Sequence, residues 1–178
     1  MCGRYYIEDR KASGGRKDIR PSEPAEVLCG DGKRLISEQM IWGFPRPEGK
    51  GLLINARAES ALERKSFRDS VLHRRCAIPA KGFYEWNPYK EKFTYERQDS
   101  LRLFLAGCYD LFEGRKRFVI LTTGANASVS PVHSRMPLIL EPGEVRQWVL
   151  EDAETEKFLR KIPVQLRAET EYEQLRLF

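Results

Sequence analysis

The strongest constraint on the fold is punctuation. Short strand-like runs recur along this chain, and turn-forming residues break them at close intervals. Ala25-Glu26-Val27-Leu28-Cys29 and Lys33-Arg34-Leu35-Ile36 flank Gly30-Asp31-Gly32, which signals a hairpin. Gln39 to Phe44 reads as a further strand, and Pro45 to Gly51 as a loop. Cys76 to Pro79 and Gly82 to Trp86 read as one extended run. Phe93 to Arg97 and Leu101 to Tyr109 follow, split by a turn near Asp99-Ser100. Phe118-Val119-Ile120-Leu121 marks a buried strand within Arg117 to Thr123, and Val164 to Thr170 reads as a last one. Helical spacing is confined to residues 59–74 (Ala61, Leu62, Phe67, Val71), to Glu144–Leu150 and to Asp152–Arg160. Strands outnumber helices and few alternate as βαβ units. The expected class is therefore α+β, a single barrel-like domain of mainly antiparallel sheet over residues 1–178, with a few flanking helices. Residues 5–25 are polar and carry Pro21 and Pro24, so they are expected to form a mobile surface segment.

Length and composition narrow the setting. A chain of 178 residues suits one domain with a full core. No apolar run approaches the ~20 residues that span a bilayer. The first thirty residues hold arginine and aspartate where a signal peptide needs an apolar centre. A cytoplasmic protein with no membrane partner is expected. The formal charge of +5 is compatible with an anionic partner. None of the four cysteines sits in a CxxC pair, which argues against a zinc site. Cys76 and Cys108 lie in apolar runs and read as inert core thiols.

The chain starts Met1-Cys2-Gly3-Arg4. Methionine before a small residue is normally removed, which would expose Cys2 as the first residue. An N-terminal cysteine carries an amine and a thiol on adjacent carbons. With an aldehyde, the amine forms an imine and the thiol then closes a five-membered thiazolidine. The free thiol has a pKa of about 8.5 and the α-amine one of about 7.7–8.0, so both have reactive forms near neutrality. The competing reading makes Cys2 the buried second residue of a first strand.

Three internal segments carry chemistry of their own. Ile54-Asn55-Ala56-Arg57-Ala58-Glu59 offers an amide donor and acceptor at Asn55, or else a plain helix N-cap. Gly82-Phe83-Tyr84-Glu85-Trp86 sets a carboxylate between aromatics, where desolvation would poise it as a proton carrier. The alternative is a glutamate on the wet face of a half-buried strand. Val132-His133-Ser134-Arg135-Met136-Pro137 places a histidine beside an arginine. That pair can move protons and hold a phosphate, or His133 can be structural.

In this order, Met-Cys-Gly-Arg, Ile-Asn-Ala-Arg-Ala-Glu, Pro-Ala-x-Gly-Phe-Tyr-Glu-Trp and His-x-Arg-Met-Pro resemble the hallmark segments of the SRAP family (SOS response-associated peptidase domain). Trp42-Gly43 fits the same pattern. The resemblance implies a protein of the DNA damage response that recognises abasic sites in single-stranded DNA and links covalently to the deoxyribose aldehyde. It makes Cys2 the nucleophile, Asn55 the group that orients the linked sugar, Glu85 the acid/base group and His133 a proton carrier. Arg4, Arg57 and Arg135 become ligands of flanking phosphates, and Trp86 lines the pocket. No cofactor or metal is implied, and a monomer that joins the nucleoid on damage is expected. Three stretches depart from the family pattern. Ile19-Arg20-Pro21-Ser22 lacks the usual asparagine, Pro45 to Lys50 lacks the usual aromatic, and Lys81 stands where aspartate is usual. Two other readings stay open. One is a thiol peptidase built on Cys2, His133 and Asn55. The other is a non-covalent single-strand DNA-binding module using Arg74-Arg75 and Arg115-Lys116-Arg117.

Overall fold

In the computed structural model, residues 2–9, 11–12 and 15–170 are described. Strands β1 (Tyr5–Glu8) and β2 (Arg16–Ile19) form a first hairpin, and β3 (Pro24–Gly30) and β4 (Leu35–Trp42) a second. Strands β5 (Phe44–Pro45) and β6 (Leu52–Leu53) pair across the loop that leads to β7 (Asn55–Arg57). After helix α1 (Arg68–His73) come β8 (Arg75–Ala80), β9 (Gly82–Trp86), β10 (Lys92–Arg97), β11 (Leu103–Phe112) and β12 (Arg115–Gly124). Short strands β13 (Arg135–Pro137) and β14 (Ile139–Leu140), helices α2 (Val145–Leu150) and α3 (Thr155–Leu159), and β15 (Leu166–Thr170) follow.

Five strands close a barrel in the order β12-β4-β3-β8-β11, with β11 pairing back to β12. Only the β12–β4 step in that ring is parallel. A second sheet, β15-β10-β9-β1-β2, is antiparallel throughout. Strand alternation sorts the core into two faces. Val27, Cys29, Met40, Trp42, Cys76, Ile78, Leu103, Leu105, Phe118 and Ile120 converge from all five barrel strands and meet Cys2, which precedes β1, and Tyr5, Phe83 and Tyr95 of the second sheet. The intervening Ala77, Ala106, Val119 and Leu121 face outward against Trp148 of α2 and Phe158 of α3. The Trp148 indole donates to the Cys76 carbonyl at 2.9 Å, which fixes α2 to the barrel wall.

Three expectations are corrected. Residues 5–8 and 16–19 form a paired hairpin, and Tyr5, Tyr6 and Ile19 are fully buried. The charges that suggested a loop are consumed across it: Arg16 stacks over Tyr6 at 4.7 Å and reaches Glu96 at 3.2 Å. Residues 59–74 do not form one helix. A 3-10 turn at Ala58–Ser60 and the separate six-residue α1 replace it. At helical pitch, Ala61 and Phe67 would lie about 120° apart around the axis, and breaking the helix lets both pack inward. The run through 76–86 is two strands in different sheets, turning at Lys81. Gly82 permits that turn, because a Cβ there would stand 2.5 Å from the Tyr6 hydroxyl and from the Tyr95 carbonyl.

Candidate active site

Two backbone relationships bring the start of the chain into the core. Tyr5 pairs with Phe83, and the Tyr84 N–H donates to the Arg4 carbonyl at 3.1 Å. From the other side, β7 lies parallel to β12, with Asn55 beside Ile120. Ala56 is buried on one face of β7, so Asn55 and Arg57 point the other way. The Asn55 amide nitrogen donates to the Cys2 carbonyl at 2.9 Å. Asn55 is thus a strand residue that holds Cys2, not a helix N-cap.

Glu85 is 2% exposed, which removes the wet-face reading. Alternation along β9 turns Phe83 and Glu85 toward the barrel and puts Tyr84 and Trp86 on the outer face. Burial pushes the Glu85 carboxyl up, and the nearby His133 and the Trp86 N–H pull it back. The Cys2 thiol is buried and contacts the Arg4 carbonyl at 3.8 Å. Burial raises its pKa and the charge of Glu85 adds to that rise. In this state Cys2 is a protonated thiol.

His133 approaches from the loop before β13. Its backbone N–H donates to Val129 at 3.0 Å, and Asn126 ties the loop to the Pro163 and Val164 carbonyls. The Arg135 N–H donates to Nδ1 of His133 at 3.0 Å, and the Arg135 carbonyl lies 3.1 Å from the same nitrogen. With its proton on Nε2, neutral His133 accepts from the first. Protonated His133 donates to the second. Both charge states therefore have a backbone partner, as a proton carrier requires.

The expected phosphate ligands divide. Arg57 is exposed and makes no ion pair among the described residues. Arg4 lies over the Trp86 ring at 5.4 Å and 3.7 Å from Asp18. Arg135 is held in a bidentate pair with Glu59 and also donates to the Thr122 carbonyl at 2.7 Å, so its fork is engaged within the protein. The basic stretches of the non-covalent binding module are largely consumed too. Arg75 is buried and donates to the Trp148 carbonyl and to Asp152. Arg74 pairs with Asp69 and Asp110, Lys116 with Glu38, and Arg117 donates to the Gly43 carbonyl. Trp86 stands beside Arg4 on the outer face, and Tyr89, 85% exposed, tips the same β9–β10 hairpin.

Sequence reasoning missed Glu59 as the partner of Arg135. It also missed Tyr5 and Tyr95, which pair with Phe83 from either side. Only strand register reveals that row. Among the described residues, no group of three or more histidines, cysteines or carboxylates could hold a metal ion. No helix there is long and apolar enough to cross a membrane.

Known proteins match both the sequence and the fold. The family described as SOS response associated peptidase (SRAP) matches residues 7–176. Abasic site processing protein YoqW of Bacillus subtilis is 32% identical over 146 residues, covering 74% of this chain and 65% of the relative. Abasic site processing protein YedK of Escherichia coli is 28% identical, covering 78% of this chain and 66% of the relative. Abasic site processing protein HMCES of Gallus gallus is 31% identical, covering 83% and 55%. The matched stretch thus spans under two thirds of the length of each of these relatives. A crystal structure of a protein from Bordetella bronchiseptica superposes with a TM-score of 0.79 at 21% identity, covering 95% of this chain and 99% of the other. One from Bacteroides thetaiotaomicron gives 0.72 at 22%, covering 86% and 76%. These two establish likeness of fold.

Proposed function

The chain belongs to the SRAP family, and on that premise we propose that it captures abasic sites in single-stranded DNA by a covalent bond to Cys2. Its sequence relatives are named for abasic site processing. The observation that carries the reading is the anchoring of Cys2: Asn55 holds its carbonyl while Glu85 stands buried beside it.

The chemistry needs Met1 removed, which turns the Cys2 amide nitrogen into a free amine. That amine attacks C1′ of the ring-opened deoxyribose. The carbinolamine loses water, and Glu85 supplies the proton to the leaving oxygen. The thiol then adds to the imine carbon while its proton passes to the nitrogen, which closes the thiazolidine. His133 moves protons at the sugar during imine formation and in any competing β-elimination. Arg57 and Arg4 hold flanking phosphates, and Trp86 borders the path of the strand. The chain acts as a monomer in the cytoplasm and joins the nucleoid after damage. A thiol peptidase fits less well, because the Cys2 thiol is buried, protonated and directed to the Arg4 carbonyl.

The test is incubation of the Met1-processed protein with a single-stranded oligonucleotide bearing one abasic site. A heat-stable adduct is expected, and the Cys2→Ala variant should lose it while keeping the fold. An undiminished heat-stable adduct in Cys2→Ala would overturn the thiazolidine route. Peptide cleavage without any adduct would favour the peptidase.

A further inference from the structure

Three aromatic side chains form a row across the second sheet. Tyr5 of β1 and Tyr95 of β10 both pair with Phe83 of β9, one from each side. Directly opposed residues on antiparallel strands share a face, so all three rings point toward the barrel. All three are fully buried, and Phe83 stacks on Tyr95 at 5.2 Å. Glu85 lies two residues beyond Phe83 on β9 and so shares its face. The row therefore runs directly beneath the carboxyl.

Neither tyrosine hydroxyl has a hydrogen-bond partner, and neither does Oδ1 of Asn55 on the opposite wall. A buried phenol without a partner costs stability, and phenylalanine would fill the same space without that cost. Each hydroxyl is also matched to a reacting group. The charge of Glu85 acts on Tyr95, whose hydroxyl is pushed up to about 12, first by burial and then by that charge. Burial raises the Tyr5 hydroxyl most, and Cys2, when ionised, adds to that rise.

We propose that Tyr95 and Tyr5 are positioning residues of the capture site: once the partner ionises, the Tyr95 hydroxyl donates to the Glu85 carboxylate and the Tyr5 hydroxyl to the Cys2 sulfur, directly or through one bound water. The site so formed takes water or the freed sugar oxygen between Asn55 Oδ1 and the two phenols. Each phenol supports the charged form of its partner, which burial alone would suppress. This rests on the capture reading for its chemistry, but not for its geometry. Other groups act on the same partners. Glu85 is faced by Cys2 and by His133. Tyr5 is faced by Cys2, Cys76 and Glu23.

The test is a carbon-13 NMR titration of the full chain, with Glu85 assigned by its loss in Glu85→Gln and Cys2 by its loss in Cys2→Ala. In Tyr95→Phe the Glu85 midpoint should rise by about one pH unit, the worth of one hydrogen bond to a charged group. In Tyr5→Phe the Cys2 thiol midpoint should rise similarly while Glu85 moves much less. At a pH where Glu85 and Cys2 are both protonated, both variants should melt at or above the wild-type temperature, since a buried hydroxyl with no partner is removed. Titrations unchanged in both phenylalanine variants would overturn the proposal and leave the row as packing. The capture rate supplies a second readout. Its alkaline limb, set by loss of the Glu85 proton, should move up in Tyr95→Phe, and that shift should vanish in the Glu85→Gln background. Shifted titrations in a protein that captures no abasic site would support the tyrosine roles and sink the capture reading instead.

Discussion

Arg135 and Glu59 meet fork to fork, with Nη1 2.7 Å from one carboxylate oxygen and Nη2 2.8 Å from the other. The pair closes the end of β13 onto the turn that follows β7. The same arginine holds Nδ1 of His133 through its backbone N–H. Arg135 thus acts as a strut for the imidazole.

That pairing sets a pH dependence. Arg135 holds the Glu59 carboxyl below its usual range. A carboxyl whose folded pKa is depressed adds stability above its unfolded pKa, about 4.3, and loses it as pH falls through the folded value. Glu59→Gln should therefore melt lower than wild type at pH 7, and the gap should close toward pH 3. The pair is half exposed on the glutamate side, which limits the effect to about 1 kcal/mol. Capture should slow by roughly tenfold as the His133 loop loosens. Melting curves at the two pH values and initial capture rates check both outcomes.

The arginines differ in their expected response to salt. Arg57 is exposed and Arg4 is partly so, whereas the Arg135 side chain is 18% exposed and already paired. Each neutralised phosphate on a single strand contributes about −0.7 to the log–log salt slope. Arg57→Ala and Arg4→Ala should each make the slope shallower by about 0.7. Arg135→Ala should lower the rate and leave the slope alone. Initial capture rates from low to moderate salt separate the two classes. An equal loss of slope in all three variants would show that Arg135 leaves Glu59 for the DNA.

Much of this was legible in the sequence because it rests on local pattern. The Gly30-Asp31-Gly32 hairpin, the buried β12 and the α2 and α3 segments follow from turn residues and apolar periodicity. The place of Glu85 between aromatics allowed either a buried or a wet-face carboxylate, and only the packing of β9 against the barrel buries it. Long-range pairing stayed hidden. Arg16-Lys17-Asp18 reads as loop until Tyr6, Glu96 and Arg4 are known to neutralise it. The Tyr5–Phe83–Tyr95 row needs the register of three strands that lie far apart in the chain. Arg75 reads as part of a basic patch until Trp148 and Asp152 come back to cover it.

Glu85 should trade stability for function. Burial lifts its folded pKa above the unfolded value of about 4.3. Between those two values the native state binds more protons than the unfolded one, so stability falls as pH rises through the folded pKa. Glu85→Gln removes the penalty of a buried charge. It should melt higher than wild type at pH 7 and equal to it at pH 4. The same change should slow capture by about 10²–10⁴-fold, the usual worth of a general acid or base. A variant that melts higher yet captures at the wild-type rate would take Glu85 out of the mechanism.

Asn55 offers the sharpest contrast between removing a contact and reversing its polarity. Its amide nitrogen is the donor that holds the Cys2 carbonyl at 2.9 Å. Asn55→Ala deletes the donor and frees the start of the chain, so capture should slow by about 10–10²-fold through misplacement of the nucleophile. Asn55→Asp keeps the shape but replaces the donor by an acceptor. Near neutral pH it would set a carboxylate against the Cys2 carbonyl and add a charge to a site that already holds Glu85. That variant should be slower than Asn55→Ala at pH 7. Protonation restores an O–H donor in the same place, so its rate relative to wild type should climb as pH falls toward 5. Capture rates of both variants between pH 5 and pH 8 test this. If Asn55→Asp follows the wild-type profile at every pH, the bond to Cys2 plays no part in placing the nucleophile.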